Sequence, residues 1–148
     1  MHAARIYRYG DADNAGRTRP NGAAKLRNVN GDKECIKCHQ WLSEDQFASH
    51  SGAADGLRGT CRLCSLVSAY NITRNEFESM REQQNGVCAI CGDTPSVFVV
   101  DHDHACCNGR NSCGSCVRGL ICHGCNTGLG GFKDRPDALL AAVVYLTR

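Results

Sequence analysis

Between Cys88 and Asn126 the sequence gathers a Cys88-x-x-Cys91 pair, the run Asp101-His102-Asp103-His104, and a Cys122-x-x-Cys125 pair followed directly by Asn126. Two thiolate pairs at this spacing can fix one zinc ion. That zinc would bring Asp101, His102 and Asn126 together, although 25 positions separate the first from the last. An acid, an imidazole and an amide gathered this way are the parts of a one-metal phosphodiesterase. Asp101 offers a hard oxygen to Mg²⁺ or Mn²⁺, and Asn126 adds a neutral amide oxygen, leaving other positions for water and phosphate oxygens. Such an ion stabilises charge on the departing oxygen. His102 is well typed as the general base, because an imidazole is a neutral base at cellular pH.

These residues need elements to position them. Ser96–Val100 (SVFVV) is β-branched and aromatic and reads as a strand ending at Asp101, with Val117–Ile121 (VRGLI) as the returning strand. Alternation along the first strand puts Asp101 and Asp103 on one face and His102 and His104 on the other. Asp103 could then orient a ligand or add a second carboxylate, and His104 could contact phosphate or join a zinc site. Upstream, the pattern predicts a helix over 73–84, with Thr73 and Glu76 as a capping box, Phe77, Met80 and Gln84 on one face, and Asn85-Gly86 as the stop. After Asn126 come Gly128, Gly130 and Gly131, so propensity alone would not make that segment a helix. Pro136 fits the first turn of a last helix whose Leu139, Leu140, Val143, Val144 and Leu146 are expected to close the core. No internal repeat is evident beyond the paired knuckles.

A chain of 148 residues suits one domain or two very small ones, and very small domains need staples. Twelve cysteines supply them, ten in Cys-x-x-Cys pairs at 35/38, 61/64, 88/91, 113/116 and 122/125, plus Cys106 and Cys107. Residues 1–30 are polar and basic, without the apolar run of a secretory leader, and no window is apolar enough to span a membrane. A reducing cytoplasm is therefore expected, where metal is favoured over disulfide. The expected organisation is a flexible basic arm over 1–30, a four-cysteine zinc unit over 31–66, and a catalytic domain over 67–148. Cys35, Cys38, Cys61 and Cys64 would clamp the first unit as a zinc ribbon or treble-clef-like fold, with Trp41, Leu42 and Phe47 as its miniature core. Cys106, Cys107, Cys113 and Cys116 would bind a third zinc; the alternatives are three thiolates with His104, or free thiols. Arg110 on that loop is a candidate phosphate contact, while Arg118, His39, His50 and His123 read as surface groups.

The formal net charge of +2 misleads here. A zinc held by four thiolates is a net −2 unit, so two or three such sites would move the chain to about −2 or −4. DNA contact then depends on local patches such as Arg5, Arg8, Arg17, Arg19, Lys25 and Arg27 in the arm.

The run CAICGDTPSVFVVDHDH, followed by VRGLICHGCNTGLG, resembles the phage recombination endonuclease VII family among the HNH or His-Me finger nucleases. The resemblance covers roughly residues 70–148. It implies a small α+β, zinc-stabilised ββα-metal core, with the glycine-containing segment after Asn126 as its helix. It also implies Asp101 and Asn126 on the catalytic ion, His102 as base, Cys88, Cys91, Cys122 and Cys125 on the structural zinc, and His104 near the scissile phosphate. Two departures stand out. Leu129 occupies the place where some members carry an acid, and the chain stops at Arg148, short of the long helical region that junction-resolving members use to dimerise. Nuclease chemistry is thus implied more strongly than four-way-junction specificity.

The expected function is a metal-dependent endonuclease that nicks or cleaves duplex or branched DNA to leave 5′-phosphate ends, in the host cytoplasm if phage-encoded. Phage packaging or recombination proteins are the expected partners. The alternative is a non-catalytic zinc module that binds nucleic acid.

Overall fold

The computed structural model describes residues 27–148, and most of the basic arm lies outside the described residues. Arg27, read as part of that arm, instead bridges to Lys33 and pairs with Glu44 and Asp55. The chain divides into a unit ending at Leu66 and a second from Val67 to Arg148. Each is described by itself.

In the first unit, β1 (Lys33–Glu34) pairs antiparallel with β2 (Trp41–Leu42), and β3 (Phe47–Ser49) with β4 (Leu57–Cys61). Helix α1 (Arg62–Ala69) follows β4 without a break. The core is Cys35, Phe47, Cys61 and Cys64, covered by Leu42, Leu57 and Leu63. Trp41 does not join it as expected, because alternation turns it away from the face that Leu42 presents. Backbone amides point at the sulfurs: Cys61 N–H donates to Cys35 Sγ at 3.3 Å and Cys64 N–H to Cys61 Sγ at 3.4 Å. Beneath them Lys33 is fully buried, its ammonium on Asp55 and 5.4 Å from the Phe47 ring centre.

The second unit opens with α2 (Arg74–Gln83), which carries the expected capping box between Thr73 and Glu76 and buries Phe77. Gln84 does more than end this helix. Its amide donates to the carbonyls of Val87 and Leu120 at 3.0 and 2.7 Å and accepts from Leu120 N–H at 2.9 Å, clamping the returning strand.

That strand is β6 (Val117–Ile121), paired antiparallel with β5 (Val99–His102). The expected strand over 96–100 is thus displaced towards the Asp101-His102 run: Val99 and Val100 face Ile121 and Leu120, so the buried pairing begins there and carries on through His102. A register shift falls between Asp101 and His102, opposite Gly119 and Val117. A Cβ on Gly119 would lie 3.0 Å from Gln84 Oε1, which explains a residue without one at this crowded place.

Helix α3 (His123–Gly131) follows β6, and α4 (Pro136–Leu146) follows α3 with Pro in its first turn. Four glycines cost α3 roughly 1 kcal/mol each relative to alanine. Cys122 offsets part of this as N-cap, its Sγ accepting from Cys125 N–H at 3.3 Å. Helix α4 does not close a core: Leu140, Val143, Val144, Tyr145 and Leu146 are exposed, the last at 80%. Among the described residues it meets too little of the hairpin to bury that face. Both units share one order, a Cys-x-x-Cys knuckle, a hairpin, and a helix begun by a second knuckle, so a structural repeat exists that the sequence reading did not find. The architecture is small α+β, with ββα in the second unit. Among the described residues no helix is long and apolar enough to cross a membrane.

Candidate active site and metal centres

Strand β5 and helix α3 line a cleft of about 230 Å³ in the second unit, walled by Asp101, His102, His104, Asn126, Asp134 and Arg110, among others. Asp101 and His102 both line it and both are buried, and the extra residue at the register shift, Arg118 on β6, reaches back to the Asp101 carboxylate. His104, exposed just beyond the strand, has its ring centre 4.7 Å from that of His102. Asp103 follows the strand directly and is half-buried. Its carboxylate accepts from Ala105 N–H at 2.8 Å, and its carbonyl accepts from the amides of Cys106 and Cys107, so it shapes the loop.

His102 is held from two sides. Its Nε2 lies 3.1 Å from the Cys107 carbonyl oxygen. A carbonyl only accepts, so Nε2 carries the proton and Nδ1 is the basic nitrogen of the neutral ring. The Tyr70 ring meets the imidazole edge-on, with centres 5.5 Å apart.

Asp101 is paired bidentately with Arg118, Nε to Oδ2 at 2.6 Å and Nη2 to Oδ1 at 3.1 Å. Arg118 is therefore not the solvated surface group expected, and the Asp101 hydrogen bond raises its already high pKa against the opposing effect of burial. The same guanidinium lies 3.5 Å from Asp134, whose Oδ2 sits 2.7 Å from His104 Nδ1. The His104 bond holds the Asp134 carboxyl below its usual range; burial opposes this and the charge of Arg118 assists. Asp134 shortly precedes α4 and belongs to no motif. Nothing in the sequence signals its role, since the turn after α3, with Lys133 and Asp134 both at positive φ (56° and 53°), carries it back to the cleft.

Asn126, in the first turn of α3, lines the cleft with a side-chain amide that has no hydrogen-bond partner among the described residues. A buried carboxylate and an unpartnered amide oxygen on one cleft suit a hard cation such as Mg²⁺ or Mn²⁺. Arg118 is its competitor for Asp101.

The twelve cysteines fall into three groups of four: Cys35, Cys38, Cys61 and Cys64; Cys88, Cys91, Cys122 and Cys125; Cys106, Cys107, Cys113 and Cys116. In each group the sulfurs all lie within 4.8 Å of one another, a donor set that fits zinc. In the second group burial raises the Cys88 thiol, but the amides of Cys91, Cys122 and Ile90 outweigh it and bring it down to about 6. Its neighbour Cys91 is pushed up to about 12: the Asp93 amide lowers it, yet burial and the hydrogen bond to Cys88 prevail. A bound cation would remove the protons that such thiols still carry. His39 pairs with Glu34 at 3.0 Å, and His50 lines a separate cleft in the first unit, so neither joins a cluster.

The family model of recombination endonuclease VII matches residues 63–148, more than half of the chain. The chain belongs to the recombination endonuclease VII family. It is similar to the Gene 59 protein of Mycobacterium phage D29, with 33% identity over 87 residues, 56% of this chain and 48% of that protein. The chain thus spans about half the length of that curated relative. It is also similar to the ββα-Me type II restriction endonuclease Hpy99I, with 29% identity over 88% of this chain and 71% of that chain and a TM-score of 0.34. The endonuclease VII match covers α2, the β5–β6 hairpin and α3, and so includes the whole cleft.

Proposed function

We propose that this endonuclease VII family member hydrolyses DNA phosphodiesters, with His102 as general base and Asp101 and Asn126 holding a Mg²⁺ or Mn²⁺ ion. The observation that supports it best is the convergence of a buried carboxylate, a fixed imidazole and an unpartnered amide on one cleft. His102, with its proton committed to the Cys107 carbonyl, accepts the proton of an attacking water at Nδ1. The chemistry a divalent ion supplies there is stabilisation of charge on the scissile phosphate and the departing oxygen. His104, oriented by Asp134, and Arg110 lie where phosphate oxygens would approach, and each can donate to them. Cleavage on this scheme leaves 5′-phosphate ends. The groups on Cys35 and Cys88 hold structural zinc, since four thiolates leave no open coordination position for catalysis.

Nicking or cutting of duplex DNA ranks beside branched DNA as the substrate, in a phage-infected bacterial cytoplasm. A non-catalytic nucleic-acid-binding module would have no use for an imidazole held in one tautomer at the bottom of a cleft. The test is incubation of supercoiled plasmid with protein and Mg²⁺, beside His102→Ala and an EDTA control. The substitution should slow nicking by roughly 10²–10⁴-fold and leave DNA affinity within about twofold. Equal nicking by the variant and the parent would overturn the assignment of His102. No nicking by zinc-loaded parent protein would favour the binding module.

A further inference from the structure

The loop between β5 and β6 carries the third group of thiols, and its geometry is that of a closed site. Cys106 and Cys113 sulfurs are 3.8 Å apart, Cys106 and Cys107 3.9 Å, and Cys113 and Cys116 3.7 Å. Four sulfurs bound to zinc at about 2.3 Å form a tetrahedron with edges of about 3.8 Å. The site of three thiolates with His104 is disfavoured, because His104 is engaged by Asp134. Adjacent Cys106 and Cys107 reach one centre because both of their amides donate to the Asp103 carbonyl in a tight turn.

This loop is also joined to the catalytic cleft. Ser112 Oγ donates to the Tyr70 carbonyl at 2.7 Å, and Asn71 Nδ2 donates to the Cys113 carbonyl at 3.0 Å. Gly114 approaches so closely that a Cβ there would lie 2.5 Å from the Asn71 carbonyl oxygen. Tyr70 in turn packs on His102. Most directly, Cys107 supplies a sulfur to the cluster and its carbonyl oxygen to His102 Nε2. Most of the loop's side chains are exposed, so few apolar contacts otherwise fix that carbonyl.

We infer that Cys106, Cys107, Cys113 and Cys116 bind a zinc ion whose task is to position His102, by fixing the Cys107 carbonyl that holds its Nε2 proton. The cluster is a positioning device for the base, separate from the two zinc sites that begin α1 and α3. Only the catalytic meaning of His102 rests on the nuclease reading.

The test compares the reduced parent protein with the double variant Cys113→Ser, Cys116→Ser, which keeps Cys107 and its carbonyl. Metal analysis should find three zincs per chain in the parent and two in the variant. The ring nitrogens of His102, followed by NMR, should report the Nε2-protonated tautomer in the parent and a mixture in the variant. With Mg²⁺ and plasmid, kcat should fall roughly 10–100-fold with KM within about twofold. Two zincs in the reduced parent would overturn the proposal, as would loss of the third zinc with the His102 tautomer unchanged. Should the variant not fold, the parent is titrated with a chelator while His102 is observed. Loss of one zinc should then change the ring signal, and an unchanged signal overturns the inference. If the parent nicks no DNA, the nuclease reading fails while zinc count and ring signal still decide this one.

Discussion

Arg118 grips both carboxylate oxygens of Asp101 from the adjacent strand, and reaches Asp134 as well. The guanidinium gives a buried carboxylate its counter-charge and two hydrogen bonds. It also competes with any cation that Asp101 is to hold.

Replacing Arg118 by Met should therefore lower the Mg²⁺ concentration needed for half-maximal nicking. Arg118 is 41% exposed, so screening limits the effect to about threefold to tenfold. A magnesium titration of plasmid nicking measures it. A higher requirement in the variant would mean that the guanidinium supports the ion, not that it competes.

Asp134→Asn should loosen His104 and reduce kcat by roughly tenfold, with little change in DNA binding. The variant removes one charge near Arg118 but leaves the Asp101 pair in place. Single-turnover cleavage with a short duplex separates the two effects. Unaltered single-turnover rates would leave His104 without a role that depends on its orientation.

In the first unit, burial raises the Asp55 carboxyl, yet the Lys33 hydrogen bond and the charges of Lys33 and Arg27 hold it below its ordinary value of 3.8. A depressed carboxyl stabilises the fold above its unfolded pKa, and that stability is lost as pH falls through the folded value. Asp55→Asn should thus cost roughly 3–5 kcal/mol at pH 7, because it strands a buried ammonium. The gap between parent and variant should narrow below about pH 4. Denaturant unfolding at several pH values tests this, and a gap constant with pH would deny the pair its role.

Gln84→Ala deletes three hydrogen bonds, two of them to Leu120, and leaves the buried Leu120 N–H without its acceptor. A loss of about 1–3 kcal/mol is expected, seen as a lower thermal midpoint with the zinc content unchanged. A midpoint equal to that of the parent would show that the hairpin holds its register without the clamp.

The sequence made the chemistry more legible than the geometry. Cys-x-x-Cys spacing, the Asp101-His102 run and Asn126 after Cys125 carry their meaning locally, and so does the capping box at Thr73. What sequence could not show arises between distant segments. Nothing local announces that β6 carries an extra residue, Arg118, opposite the step from Asp101 to His102. Arg118 and Asp134 looked ordinary because their partners come from another strand and from beyond a helix. Helix α3 defied its glycines because its start is fixed by a cysteine cap, a contribution outside any propensity scale. Apolar spacing in α4 suggested burial, whereas among the described residues its apolar face stays open.

Cys122 both caps α3 and belongs to a four-thiol group, while Asn126 sits in the first turn of that helix. If that group holds zinc as proposed, the cleft's amide is presented only once the metal is bound. Such a molecule, emerging from the ribosome, would stay harmless to nearby DNA until zinc arrived, and the supply of a scarce nutrient would set when cutting can begin.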